Sequence, residues 1–190
     1  MNKIYPDSPW IYEEENFFTS AENTKLIELG LKLKPSQSGI GIDTPVIDSN
    51  IRTSNQSWIH YSLDSEWLFR KIAERIKIVN ENLFKFNIQT FDGLQFTVYE
   101  QSQRGMYSKH TDCGPLSCLM RKLSMIVLLS DPSEYEGGEL LIYPNAVPQT
   151  VVKKQNKIII FPSFLIHEVT PVTKGTRYSL VTWVSGPQFT

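Results

Sequence analysis

Two runs, MIVLL at residues 125–129 and IIIF at residues 158–161, are apolar at odd and even positions alike. A strand with one face in water alternates apolar and polar residues, so such runs belong to strands covered on both faces. The covering layers must be a second sheet on one side and helices on the other. With these two included, short β-rich runs occur at 94–99, 123–129, 139–143, 150–153, 157–161, 166–170 and 177–184. Turn residues fall between them at Asp131-Pro132, Gly137-Gly138, Tyr143-Pro144-Asn145 and Lys174-Gly175. This pattern predicts a mainly β fold with flanking helices (α+β): a double-stranded β-helix, or jelly roll, buttressed by N-terminal helices.

The helices are expected before residue 90. In one segment Leu68, Ile72, Ile76, Val79 and Leu83 recur at helical spacing, with Ser62 and Asp64 as candidate caps. Another, at 19–33, sets Leu26, Leu29 and Leu33 on one face after Thr19 or Ser20, although Gly30 weakens it as a helix. Residues 36–59 between them are rich in Ser, Gly, Asn and Asp, suiting strands joined by loops that could act as a lid or merely connect. With no repeat or linker, residues 1–190 read as one domain, with helical and loop support over 1–90 and a catalytic core over 91–190.

Lys and Arg total 19 against 20 Asp and Glu, a net charge of -1 that gives no electrostatic reason to expect nucleic acid or an anionic membrane as partner. No apolar run approaches a membrane span, and the beginning MNKIYPDSPW has no signal-peptide core, so a cytoplasmic, soluble protein with a monomer as default is expected. Cys113 and Cys118 are too few for a disulfide framework or a structural zinc site and are read as reduced thiols.

Three histidines are present, and His110 forms an H-x-D with Asp112; in extended backbone both side chains point to one face. Alone, such a pair is ordinarily a surface histidine beside a solvated aspartate. His167 lies in the apolar stretch FPSFLIHEVTPV, where an unpartnered imidazole is costly to bury. It is either a core histidine bonded to a carbonyl or a ligand, and two His with one carboxylate are the facial set that holds Fe(II) with open positions. Arg177 opens the run RYSLVTWV beyond a turn expected at 172–175, and a guanidinium entering a core requires an anion, from another strand or from a ligand.

With these residues assembled, the chain resembles the prolyl 4-hydroxylase-like branch of the iron(II)/2-oxoglutarate-dependent oxygenases, including bacterial PKHD-type hydroxylases. The resemblance runs through LQFTVYE from Leu94, MYSKHTD, RKLSMIVLLSDPSEYEGGELLI and FPSFLIHEVTPVTKGTRYSLVTWV. The first ninety residues add a loosely similar IRTSNQSWI. It implies that His110, Asp112 and His167 bind iron and that Arg177 holds the distal carboxylate of 2-oxoglutarate. Tyr99 and Ser179 would line that co-substrate pocket, or Tyr99 fills the core and Ser179 faces away. Tyr107, Arg121 and Trp183 would surround the substrate, against the plainer readings of Arg121 as a surface cation and Trp183 as a core aromatic. One departure stands out: Leu128 occupies the place where some relatives have a tyrosine for the co-substrate carboxylate, which would leave Tyr99 or Ser179 to replace it.

The implied cofactors are Fe(II), 2-oxoglutarate and O2, with ascorbate as a possible reductant, and the implied reaction is hydroxylation of an unactivated C–H bond with succinate and CO2 as co-products. Asp112 keeps the carboxylate whose loss would open a halide position, so hydroxylation is expected over halogenation. The implied substrate is a prolyl residue in a protein or peptide. Hydroxylation of a free amino acid or small molecule, a silent metal-binding or interaction module, and a nucleic-acid demethylase are the competing readings, the last opposed by the lack of a basic cluster.

Overall fold

The computed structural model describes residues 3–4, 10–40, 46–114 and 120–188. In chain order the elements are β1 (Lys3–Ile4), β2 (Tyr12–Glu14), α1 (Ser20–Lys32), β3 (Ser36–Gln37), β4 (Asn55–Ile59) and α2 (Glu66–Val79). Then follow β5 (Thr90–Phe91), β6 (Leu94–Glu100), β7 (Tyr107–His110), β8 (Arg121–Leu128), β9 (Tyr135–Gly137) and β10 (Leu140–Tyr143). The last are β11 (Gln149–Thr150), β12 (Lys157–Pro162), β13 (Ile166–Val169) and β14 (Val172–Ser185). Among the described residues, one sheet runs β1-β2-β12-β8-β14-β6-β4-β3, with β5 and β9 also pairing β14, and a smaller sheet runs β11-β10-β13-β7. All pairs are antiparallel, the two-sheet arrangement expected of a jelly roll.

Strands β8 and β12 are buried at every position, as their patterning requires. On one face of the large sheet, Phe96, Val98, Met125, Val127, Ile158, Ile160 and Leu180 join Leu26 of α1 and Leu68, Ile72 and Ile76 of α2 in one core. On the other face, Ile126, Leu128, Ile159 and Phe161 pack against Leu140, Ile142 and Val169 of the small sheet. The helices are therefore a backing that leaves the inner face of the large sheet to the second sheet and to the site.

Several local expectations are corrected. Thr19 is the N-cap of α1, with a capping box to Glu22, but Leu33 lies past the last turn and is exposed, while Gly30 takes the buried place. A Cβ on Gly30 would come within 2.3 Å of the Phe96 ring, so the glycine that weakens the helix is what lets it approach the sheet. Helix α2 is capped at Ser65 and not at Ser62 or Asp64; Ser62 instead supplies the carbonyl that accepts from the Ser65 and Glu66 N–H groups. Its apolar stripe continues into a wider turn, Asn80–Phe84, closed by the Lys85 N–H donating to the Asn80 carbonyl at 2.6 Å. The strand expected at 150–153 is reduced to Gln149–Thr150. The turn expected at 172–175 lies within β14 as a bulge against β9, with Gly175 at φ +70° and its pro-side-chain position 2.0 Å from the Glu134 carbonyl oxygen. Among the described residues no helix is long and apolar enough to cross a membrane.

Candidate active site

His110 ends β7 and is the direct cross-strand partner of His167 on β13, so both rings project from the same face of the small sheet. Their centroids are 4.2 Å apart. Asp112 follows two residues on, fixed by its N–H donating to the Ser163 carbonyl at 2.9 Å. Its Oδ1 lies 3.8 Å from His110 Nε2 and its Oδ2 lies 3.3 Å from His167 Nε2. One ligand atom from each of the three residues falls within 4.8 Å of the others, and they form the group able to hold a metal among the described residues.

The surroundings prepare these atoms. Each histidine donates its Nδ1–H to the carbonyl two residues earlier in its own strand or loop, His110 to Ser108 at 2.7 Å and His167 to Leu165 at 3.0 Å. That bond fixes the tautomer and leaves the Nε2 lone pair for a cation. The Ser124 hydroxyl, from β8 in the opposite sheet, donates to Asp112 Oδ2 at 2.7 Å and is itself 2.9 Å from the Ser163 hydroxyl. Burial, with the charge of His167, pushes His110 down to about 3, so it stands neutral at neutral pH, as a ligand must. Burial alone would raise Asp112, but the two histidines and the Ser124 hydrogen bond hold it well below the usual carboxylate range. Burial opposes and Asp112 outweighs it at His167, which is raised; the proton shared there is what a divalent cation would displace. The donor set and its closeness fit a ferrous ion.

Arg177 lies on the inner face of β14, where alternation also directs Ser179, Val181 and Trp183. It is 1% exposed, the largest fully buried side chain among the described residues. Its Nη1 donates to the Ser179 hydroxyl at 3.1 Å, while Nε and Nη2 are buried and find no partner. Two unused donors on a buried cation are costly, and a carboxylate from a bound ligand is the group that satisfies both. Tyr99, paired with Arg177 across β6, sets its ring centroid 5.0 Å from the guanidinium carbon. Tyr99 and Ser179 therefore both stand at this pocket, and Ser179 does not face away.

Tyr107 stacks on His110 with centroids 3.5 Å apart and rings within 15° of parallel. Burial pushes its hydroxyl up to about 12. Arg121 is no surface cation: it is buried, paired with Asp92 at 3.0 Å and stacked 3.9 Å over the Trp183 ring. A bulge between β8 and β14 brings Arg121 opposite Ser185 and so onto the face of Trp183, whose buried Nε1–H finds no acceptor.

The sequence reading misses Arg52. This buried guanidinium lies 4.6 Å from the Tyr107 ring centroid and donates to Ser54 at 2.8 Å and to Gln95 at 3.0 Å. Only a basic residue inside IRTSNQSWI hints at it, because Tyr107 and Gln95, the partners that place it at the site, are far away in sequence. Ser124 and Ser163 are missed for the same reason. Cys113 is half-buried beside the site, its N–H also donating to Ser163; Cys118 lies outside the described residues, as do 41–45 of the expected lid segment.

Two sheets enclosing a two-histidine, one-carboxylate cluster, with a buried cation on the inner face of the opposite sheet, define a jelly roll whose donor set fits a non-haem metal. The match with known proteins narrows the class. Residues 94–185 match the model of the 2OG-Fe(II) oxygenase superfamily. A PKHD-type hydroxylase of Prochlorococcus marinus is 33% identical over 153 residues, covering 80% of this chain and 65% of the relative. The chain spans 41% of the length of a similar hydroxylase from Alteromonas mediterranea, at 37% identity over 47% of this chain. It thus spans between about a quarter and two thirds of the length of the curated relatives it matches. In fold it resembles a Trichoplax adhaerens prolyl hydroxylase solved with a peptide fragment of a hypoxia inducible factor, at a TM-score of 0.78, 20% identity and coverage of 94% and 84% of the two chains. A Pseudomonas putida prolyl-4-hydroxylase gives 0.75, 19% and 92% of each chain.

Proposed function

We propose that the protein is an Fe(II)- and 2-oxoglutarate-dependent dioxygenase that hydroxylates a prolyl residue of a protein or peptide. The observation that carries this reading is the pairing of the His110, Asp112 and His167 cluster with a fully buried Arg177 whose Nε and Nη2 lack partners. The three ligands would hold iron and Arg177 the distal carboxylate of the co-substrate, with Tyr99 and Ser179 beside it. When bound, iron and 2-oxoglutarate supply the oxidation of a C–H bond by O2, with succinate and CO2 as co-products. The chain's own part is to orient and to exclude water. Tyr107 forms a flat wall on the His110 ring, Arg52 lies against Tyr107, and the Arg121 and Trp183 pair would help to bound the substrate space. A rigid, cation-bearing, aromatic enclosure of this kind suits a peptide backbone around a compact apolar ring, its carbonyls taking up the Trp183 N–H and the arginine donors. The names of the PKHD-type relatives and prolyl hydroxylase neighbours support the same substrate class. In this reading residues 1–90 support a catalytic core at 91–190, and the setting is cytoplasmic, with ascorbate as a reductant.

The test is mass spectrometry of a peptide library after incubation with Fe(II), 2-oxoglutarate and O2. Gain of one oxygen on proline, matched by succinate and lost in His110→Ala, is the expected result. Oxidation confined to a free amino acid or another small molecule would reject the prolyl substrate, and succinate formation undiminished in His110→Ala would reject the ligand set.

A further inference from the structure

Arg177 is approached from a second side by a tyrosine that the sequence reading passed over. Tyr135 on β9 pairs with Gly175, two residues before Arg177. Gly138 packs against both side chains: a Cβ there would lie 2.9 Å from Arg177 Cδ and 3.3 Å from Tyr135 Cε2, and the glycine's φ of +64° makes the tight turn that brings them together. The tyrosine is 4% exposed. Lys153 covers its ring with Nζ 4.7 Å from the centroid and is tied in turn to the Gly137 carbonyl and Glu139. Burial pushes the Tyr135 hydroxyl above the ordinary tyrosine value, against the pull of the neighbouring Arg177 guanidinium, so it remains a protonated donor at neutral pH.

A carboxylate has about four lone-pair positions, and the free Nε and Nη2 of Arg177 can fill two of them. The nearest position on β8 offers nothing, since Leu128 sits opposite Ser179 with an apolar side chain. The Ser179 hydroxyl accepts from Nη1 and can turn its own proton to a third position, which leaves the fourth open, while Tyr99 turns its ring towards the cation. Resting on the dioxygenase reading above, we propose that Tyr135 donates the neutral hydrogen bond to the distal carboxylate of 2-oxoglutarate and, with Arg177, sets the selectivity for a 2-oxo diacid. The hydroxyl group missing from Leu128 is thus supplied by a different strand.

Anaerobic calorimetry on the Fe(II)-loaded full chain tests this with two ligands: 2-oxoglutarate, and oxalate, which chelates iron but has no distal carboxylate. Tyr135→Phe keeps the ring and its lysine contact while removing the donor. It is expected to weaken 2-oxoglutarate about tenfold, the effect of one hydrogen bond to a charged group, with oxalate binding and thermal midpoint unchanged. Equal loss for both ligands would make Tyr135 a packing residue and overturn the proposal. Undiminished 2-oxoglutarate affinity in Tyr135→Phe, alongside a clear loss in Arg177→Ala, would overturn it while leaving the dioxygenase reading intact. Failure of the unaltered protein to bind 2-oxoglutarate would overturn both.

Discussion

His110 and His167 are opposite numbers across the β7 and β13 pairing, and each ties its Nδ1–H to the carbonyl two residues before it. The repeat of one local device on two strands leaves the Nε2 of His110 facing Oδ1 of Asp112 and that of His167 facing Oδ2. The two rings nevertheless titrate in opposite senses, because Asp112 faces His167 more closely than His110.

That asymmetry predicts a pH optimum for the metal-free protein. Below the ordinary histidine value the unfolded chain takes up a proton that native His110, lowered to about 3, refuses, so stability falls as pH drops. Above that value native His167 keeps a proton that the unfolded chain has released, so its contribution is lost as pH rises through the raised pKa. Thermal melts in chelator should peak near neutrality, with a slope of at most about 1.4 kcal/mol per pH unit from His110 on the acid side. His110→Gln should flatten that limb between about pH 4.5 and 6.5; an unchanged limb would assign it to other groups.

Arg177→Ala removes the charged partner expected for the co-substrate. The affinity for 2-oxoglutarate should fall by ~1.5–3 kcal/mol or more, read by anaerobic titration of the Fe(II) protein. Because the native guanidinium is buried with two unused donors, its loss should cost little folding stability in the absence of ligand. Unfolding of the variant in place of weakened binding would contradict this.

Ser124 reaches Asp112 from the opposite sheet, so it would orient a metal ligand through a hydrogen bond and not as a ligand itself. Removing such an outer hydrogen bond typically lowers metal affinity about 10- to 100-fold. Ser124→Ala is expected at the lower end, since the neighbouring Ser163 hydroxyl can move towards the carboxylate. Competition titration with a chromophoric chelator measures it, and an affinity equal to that of the unaltered protein would remove Ser124 from the site.

The contrast between these residues and the strands explains what could be read beforehand. MIVLL and IIIF announced doubly covered strands because burial on two faces leaves a periodicity signal in a single segment. His110, Asp112, His167 and Arg177 were visible as chemically expensive residues in β-rich surroundings. Arg52, Ser124 and Tyr135 act through partners on other strands, and no local pattern encodes a contact between Ser124 and Asp112 or between Tyr135 and Arg177. The same blindness turns the bulge between Val172 and Lys174 into a turn, since the neighbouring Gly175 at positive φ suits either, and only the pairing with β9 decides. Spacing alone groups Leu33 with Leu26 and Leu29, although the helix stops before it.

Gly30 sets local propensity directly against packing. In an isolated helix Gly→Ala is favourable by about 1 kcal/mol, and α1 would gain that. In the folded protein the added methyl meets the Phe96 ring at 2.3 Å, and Phe96 has no room to yield, being fully buried and stacked on Tyr178 at 5.6 Å. Ser57 also donates to the Gly30 carbonyl at 3.0 Å, which resists a shift of the helix away from β4. Overpacking of this kind costs roughly 1–3 kcal/mol, so Gly30→Ala should lower stability in denaturant titration in spite of its helix preference. Trimming the obstacle in a Gly30→Ala, Phe96→Leu double variant should recover part of the loss, with the two changes coupling favourably in a double-mutant cycle. Additive effects would mean that the methyl finds space elsewhere and that close approach of α1 to the sheet is not why glycine stands here.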